Sequence, residues 1–220
     1  MSKVIYTAIF NNYDSLKRPK YINEDYDYVL FTDEITLEAQ KFRSDSIFKI
    51  KVMPDIKNHK DRFIKSKDIK INPEKYLSEY DSSIYVDGSF VQVGNIEDFL
   101  CQSKHTYQMC YHPRRICVYE EAEVCARQKL GNMNRLEMQI NRYKAEGFPR
   151  DYGLCMGGII ARTHNKKSKR INSAWWDEIS VGSTRDQLSI PYVLWKLKEE
   201  IGLSPYDNGI DSVFKLNPHL

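Results

Sequence analysis

Short apolar runs separated by polar turns fill the first 90 residues. "KVIYTAIF" (3–10) and "YDYVLFTDE" (26–34) are near-continuous runs of β-formers, and each predicts a strand. "IFKIKVMP" (47–54) alternates and stops at a proline, as a third strand would. Residues 59 to 71 have helical spacing, with Phe63, Ile64 and Ile69 as inward positions. "SSIYVDGSF" (82–90) is a further strand that stops at Asp87 and Gly88. The order β-loop-β-loop-β-α-β predicts an α/β fold with a mainly parallel sheet flanked by helices.

The second half reads as more helical. Asn95 in "GNIEDFLCQS" caps a helix with Glu and Asp in its first turn. "TYQMCYH" (106–112) and "GLCMGGIIAR" (153–162) are strand-like. The long segment from Val118 is rich in helix formers, interrupted at Gly131-Asn132 and closed by Gly147. "SAWWDEISVG" (173–182) and "RDQLSIPYVLWKLKEEIG" (185–202) predict two more helices, Pro191 being tolerated near the start of the latter. The pattern contains no repeat and no linker, so residues 1–220 are expected to form a single domain.

Composition narrows the class. With 41% hydrophobic and 29% charged residues, a globular fold is expected and disorder is not. No apolar stretch approaches the ~18 residues of a membrane span, and the N-terminus enters a strand pattern at once, so a cytoplasmic location is expected. The five cysteines have no CxxC spacing, which argues against a disulfide framework and gives little support to zinc. A net charge of +3 gives no reason to expect nucleic-acid binding. The basic residues are uneven, however: "KNHKDRFIKSKDIK" (57–70) could serve phosphate, whereas "HNKKSKR" (164–170) reads as a solvated loop. Of the adjacent Trp175 and Trp176, one is expected in the core and the other could support a sugar ring.

In open α/β sheets ligands bind at the carboxyl ends of strands. Asn11, Asn12, Asp33 and Asp87 stand at those ends. Gly88 would let a ligand approach the backbone, and the Asp87 carboxylate could hold a divalent cation bridging a diphosphate. Arg62, Lys65, Lys67 and Lys70 lie just upstream. The alternative is a strand followed by a turn, with lysines on a wet helix face; the residues alone leave both open.

Taken in order, "SKDIKINPEKYLSEYDSSIYVDGSF", "YHPRRICVYEEAEVC", "DYGLCMGGIIARTHN" and "RDQLSIPYVLWK" resemble the GT-A type of nucleotide-sugar glycosyltransferase. They resemble more closely a glycosyltransferase family once catalogued as a domain of unknown function, with plant members linked to cell-wall polysaccharide. The resemblance implies a GT-A-like, Rossmann-type fold and transfer of a sugar from a nucleotide-sugar donor to an acceptor hydroxyl, in polysaccharide or glycoconjugate synthesis. It implies a donor site at Thr7, Ala8, Asn11, Asn12, Asp33, Lys67, Lys70, Asp87 and Gly88. The metal motif appears as Asp87-Gly88-Ser89, with Ser89 in place of the second acid, and a late His219 could complete a Mn2+ or Mg2+ site. His112, Arg115, Glu120 and Gln187 are expected on the sugar or acceptor side, with Glu121 a further candidate. Arg185 and Asp186 are expected to act in catalysis, Asp186 as a base on the acceptor. Two rivals remain: a non-catalytic sugar- or nucleotide-binding protein on a degenerate fold of this type, and a nucleotidyltransferase. The latter is disfavoured because "FNNYDSLKR" has no glycine.

Overall fold

A computed structural model describes residues 1–40, 47–54, 59–205 and 210–217. The apolar runs become strands β1 (Lys3–Ile9), β2 (Asp27–Thr32), β3 (Phe48–Val52), β4 (Ser82–Val86), β6 (Tyr107–Tyr111), β7 (Cys155–Thr163) and β8 (Gly202–Ser204). They form one seven-stranded sheet in the order β3-β2-β1-β4-β7-β6-β8. β1 pairs in parallel with β2 and β4, β2 with β3, and β6 with β8. β7 runs against both of its neighbours, β4 and β6. β5 (Phe90–Gln92) and β9 (Phe214–Leu216) make a separate antiparallel pair. The expected α/β class with a mainly parallel sheet is therefore what the chain adopts.

The helices are α1 (Glu34–Gln40), α2 (His59–Ile71), α3 (Ile96–Leu100), α4 (Val118–Arg127), α5 (Met133–Ala145), α6 (Lys166–Val181) and α7 (Asp186–Leu197). None of the described helices is long and apolar enough to cross a membrane. Alternation along the central strands sends side chains to two cores. Val4, Tyr6, Val29, Phe31 and Tyr85 join the larger core under the long helices; Ile5, Tyr28, Ile84 and Val86 join the smaller one under α3 and β9. Burial on both faces explains why β1 and β2 read as near-continuous apolar runs. β3 alternates because it is an edge, and its Lys49 and Lys51 reach Asp27 and Glu79 at 2.7 and 3.0 Å.

Several expectations change. "HNKKSKR" is not a loop: Asn165 caps α6 by accepting the Ser168 amide at 2.9 Å, and the basic residues form its first turns. Ser168 and Ile171 turn inward there, so the charges can stay in water. The last predicted helix stops at Leu197, where Lys198 takes a left-handed conformation (φ 53°). Gly131 and Gly147 do interrupt and close the middle helices, with φ of 86° and 78°. In α2, Ile69 is buried but Phe63 and Ile64 are each 40% exposed; Phe63 borders a cleft instead of the core. Trp175 is in the core; Trp176 packs at its margin under Lys75 and does not border the cleft.

The carboxyl end of α2 is fixed by a buried arginine from β7. Arg162 Nη1 donates to the Ile71 carbonyl at 2.9 Å and Nη2 to that of Lys70 at 2.6 Å. Tyr6 Oη donates to the Lys70 carbonyl as well, at 3.1 Å. These carbonyls have no partner inside the helix, so the contacts fill a need that every helix end has. Arg162→Met should therefore lower unfolding free energy by about 2–4 kcal/mol through unpaired buried carbonyls. Urea denaturation checks this, and a loss under about 1 kcal/mol would show that water replaces the arginine.

Candidate active site

The parallel strands end around a cleft of about 560 Å³. Ala8, Asn11 and Asp14 come from the end of β1 and its following loop, and Asp87 and Ser89 from the turn after β4. Arg62, Phe63, Lys67 and Lys70 face it from α2, and Gly157 and Gly158 from β7. Pro113, Arg185, Asp186 and Gln187 complete the far wall.

The β1 turn is built by two asparagines with left-handed backbones, Asn11 (φ 56°) and Asn12 (φ 51°), a conformation asparagine tolerates better than most residues. Asp33 holds this turn from one layer back. Its Oδ1 caps α1 by accepting the Thr36 amide at 2.9 Å, while Oδ2 accepts the Asn11 amide at 3.1 Å and faces Arg62 Nε at 2.8 Å. Burial opposes the charge on Asp33, but the bonds from Thr36 and Asn11 and the Arg62 charge outweigh it, so its pKa lies below the usual value. Asp33 is 3% exposed, so it orders the cleft-facing Asn11 and Arg62 and is not itself a lining group. Asn12 also turns away, its amide donating to Thr36 Oγ1 at 2.8 Å. Thr7 faces the other side of β1 from Ala8, toward a separate cavity of about 30 Å³.

Asp87 is set by its backbone, whose amide donates to the Gly158 carbonyl at 2.8 Å. Its Oδ1 accepts both the amide and the hydroxyl of Ser89, at 3.2 and 3.0 Å. Among the described residues, its Oδ2 has only a long contact from Tyr85 Oη, at 3.5 Å. Gly88 is needed here because a Cβ would sit 2.9 Å from Asp14 Cβ. Asp14 itself was not expected at the site, and nothing in the sequence pairs it with Gly88. Across the turn, the Asn217 amide donates to the Ser89 carbonyl at 2.7 Å. His219 lies outside the described residues. Among the described residues, no three His, Cys, Asp or Glu side chains come together as a metal site.

Lys67, Lys70 and Asp186 form the charged centre. Both ammonium groups contact Asp186 Oδ2, Lys67 at 3.0 Å and Lys70 more closely. Lys70 also lies over the Tyr85 ring, 5.3 Å from its centroid. Gly157 allows this approach: a Cβ there would sit 2.8 Å from Lys70 Nζ and 3.2 Å from Asp186 Oδ2. An isolated glycine pair inside a strand signals close approach of this kind. Burial works against the Asp186 charge, but the two ammonium groups outweigh it and hold its carboxyl far below the usual range. For Lys70 burial is the stronger effect and pushes the ammonium down, opposed by Asp186. A carboxylate so stabilised is a weak base, which runs against the expected base role of Asp186.

The 112–121 segment is a separate cluster. His112 Nδ1 accepts the amides of Arg114 and Arg115, at 3.2 and 3.0 Å, so the ring organises a turn. Burial pushes the His112 pKa down despite the nearby Glu121 charge. Arg115 Nε pairs with Glu121, which is 3% exposed, whereas Glu120 is exposed to solvent. Glu121, not Glu120, is therefore the acid of this cluster. The sequence could not separate two adjacent glutamates because only the phase of α4 decides which one points inward.

Comparison with known proteins agrees with this geometry. Residues 1–211 match the TOD1/MUCI70, glycosyltransferase-like domain, and the chain belongs to that family. The chain is 25% identical over 218 residues to the "Probable hexosyltransferase MUCI70" of Arabidopsis thaliana. That match covers 88% of this chain but only 37% of the plant protein. Two solved structures share the fold: the WbbM bifunctional glycosyltransferase (TM-score 0.53, 8% identity, 92% of this chain and 38% of that one) and mouse xyloside xylosyltransferase 1 (TM-score 0.54, 10% identity, 94% and 86%), both in apo form. The sheet and its neighbours are of the GT-A type.

The ion triad gives a pH signature. Because the folded pKa of Asp186 is depressed, its contribution is fully present above the unfolded value of about 3.9 and is lost as pH falls below it. Asp186→Asn should destabilise the protein at pH 7 by about 3 kcal/mol, since it leaves two unmatched ammonium groups. The gap to the native protein should narrow at pH 3. Denaturation of both proteins at the two pH values is the check, and a gap independent of pH would mean that Asp186 acts by shape alone.

Proposed function

We propose that this chain is the catalytic domain of a nucleotide-sugar-dependent glycosyltransferase that moves a hexosyl-type group to an acceptor hydroxyl. The observation that carries this reading is the convergence of Lys67, Lys70 and Asp87 in one cleft at the carboxyl edge of the sheet, in a chain of a glycosyltransferase-like family. The plant relative's description as a probable hexosyltransferase supports the choice of sugar class. A role in polysaccharide or glycoconjugate synthesis belongs to the same proposal.

In such a transfer the bond from the anomeric carbon to the diphosphate breaks as the acceptor oxygen bonds to that carbon. Negative charge grows on the departing diphosphate. Lys67 and Lys70 are placed to meet it, Lys70 from a buried position where fixed charges act more strongly than in water. Asp186 then serves as a positioning residue: it aims both ammonium groups before the donor arrives. Ala8 and Asn11 line the nucleotide end, ordered by Asp33 and Arg62.

A divalent ion, Mn2+ or Mg2+, fits this donor set only in part. Asp87 offers one carboxylate with Oδ2 little used, and Ser89 Oγ is already turned to Asp87. A hard cation takes about six oxygen ligands, so Asp87 and Ser89 would hold it together with phosphate oxygens. Such an ion would neutralise diphosphate charge. Metal and nucleoside diphosphate should then strengthen each other's binding by the same factor.

Calorimetry with a panel of nucleoside diphosphates, with and without Mn2+, tests the reading. At least one should bind, and Lys67→Ala or Lys70→Ala should weaken it about tenfold or more, as expected for a lost charged hydrogen bond. Asp87→Ala should abolish the metal dependence while keeping the melting temperature. Asp186→Asn should weaken donor binding, whereas a base on the acceptor would leave donor binding intact and affect turnover alone. If no nucleoside diphosphate binds under any condition, the proposal fails.

A further inference from the structure

Four cationic side chains line the cleft among the described residues: Arg62, Lys67, Lys70 and Arg185. Three have a carboxylate partner, Asp33 for Arg62 and Asp186 for the two lysines. Arg185 has none among the described residues, and its buried Nε has no hydrogen-bond partner. Its guanidinium does reach the Cys125 thiol. That thiol donates to Glu121 Oε1 at 3.7 Å, while Arg115 pairs with the other carboxylate oxygen, Oε2, so the Glu121 charge already has its own cation and makes no ion pair with Arg185 among the described residues. A partly buried charge without a counter-ion is costly. A cleft keeps one at least cost when a ligand supplies the opposite charge. The planar guanidinium is shaped for carboxylate and phosphate groups, which it binds with two parallel bonds.

Arg185 makes contacts different from those of the two lysines. Lys67 and Lys70 come from α2 and meet one face of the Asp186 carboxylate. Arg185 reaches α4 and the turn before α5: its guanidinium meets Cys125, and its Cγ lies 4.0 Å from where a Cβ on Gly131 would sit. Pro113 and Gln187 border the same wall of the cleft. At the proposed nucleotide end, Arg62 from α2 donates to Asn11 Oδ1, in the loop after β1, at 3.4 Å.

We propose that Arg185 forms an anion subsite for a sugar that carries an acidic group, a carboxylate or a phosphate, at the α4 end of the cleft. This deepens the glycosyltransferase reading and rests on it for the word sugar: the substrate on this side is an acidic sugar and not a neutral one. Gln187 is placed beside the subsite to bond neighbouring hydroxyls, a contact that would serve acidic and neutral sugars alike.

The test is calorimetric titration of the full chain with methyl glucuronoside, glucose 6-phosphate and methyl glucoside, with and without UDP and Mn2+. One of the two acidic sugars should bind at least tenfold more tightly than the neutral glucoside. Arg185→Met should erase that preference, and Arg185→Lys should keep part of it. UDP should bind Arg185→Met within about twofold of the native affinity, which also shows that the variant is folded, while Lys67→Ala loses it. Whichever acidic sugar binds identifies the group. Equal binding of acidic and neutral sugars, or no binding of either, overturns the subsite. So does a loss of UDP affinity in Arg185→Met as large as that in Lys67→Ala, because Arg185 would then belong to the diphosphate. A native protein that binds no nucleoside diphosphate but keeps an Arg185-dependent preference for the acidic sugar would sink the transferase reading and sustain this one.

Discussion

The site depends on one carboxylate between two ammonium groups. Removing Asp186 and Lys70 from water costs several kcal/mol per ion, and only close, fixed geometry can offset that. The surrounding structure supplies it from three directions. The Asp186 carbonyl accepts bonds from Trp175 Nε1 and Ser189 Oγ, at 3.3 and 3.0 Å, which fixes the first turn of α7. Arg162 and Tyr6 hold the last turn of α2, and with it Lys70. Gly157 withholds a side chain where one would push the ions apart. A strand, two helices and the core tryptophan thus share one electrostatic task.

On the proposed reading, that arrangement suits a cleft that receives a diphosphate leaving group. Two lysines facing each other in an empty cleft would repel and would tend to lose a proton. With Asp186 between them they remain near one another and aimed at the same space. In the proposed reaction an arriving diphosphate would trade part of the Asp186 contact for its own. Little reorganisation is then needed as charge develops, which is the condition under which fixed charges lower a barrier most. Asp87 adds a single carboxylate to the cleft lining, and the Ser89 hydroxyl is bonded to it at 3.0 Å, so on the proposed reading the cationic side chains carry most of the neutralisation of a diphosphate.

The far wall follows a different logic. Arg115, Glu121 and His112 satisfy one another in a turn that supports Pro113. Among the described residues, the cleft cation without a carboxylate partner is Arg185, next in the chain to the carboxylate that both lysines contact.

The sequence by itself determined the strands, because burial on both faces forces near-continuous apolar runs and each run then breaks at a polar residue. It placed Asp87 at a strand end, and it singled out Lys67, Lys70 and Asp186, although these lie more than 110 residues apart and only their family-like order linked them. It also located the glycine helix stops, since a left-handed backbone has a local cost that glycine avoids. The tertiary structure decided the rest. Whether Asp186 is a base or a counter-ion depends on what stands beside its carboxylate, which no spacing encodes. Which of Glu120 and Glu121 is buried depends on the rotation of α4. Thr7 and Asp33 fell outside the cleft because a strand alternates faces and because a strand-end aspartate can be consumed by the helix it caps. Ion pairing, rotation about a helix axis and the facing of a strand are all set by contacts between distant segments, so they exist only once the chain has folded.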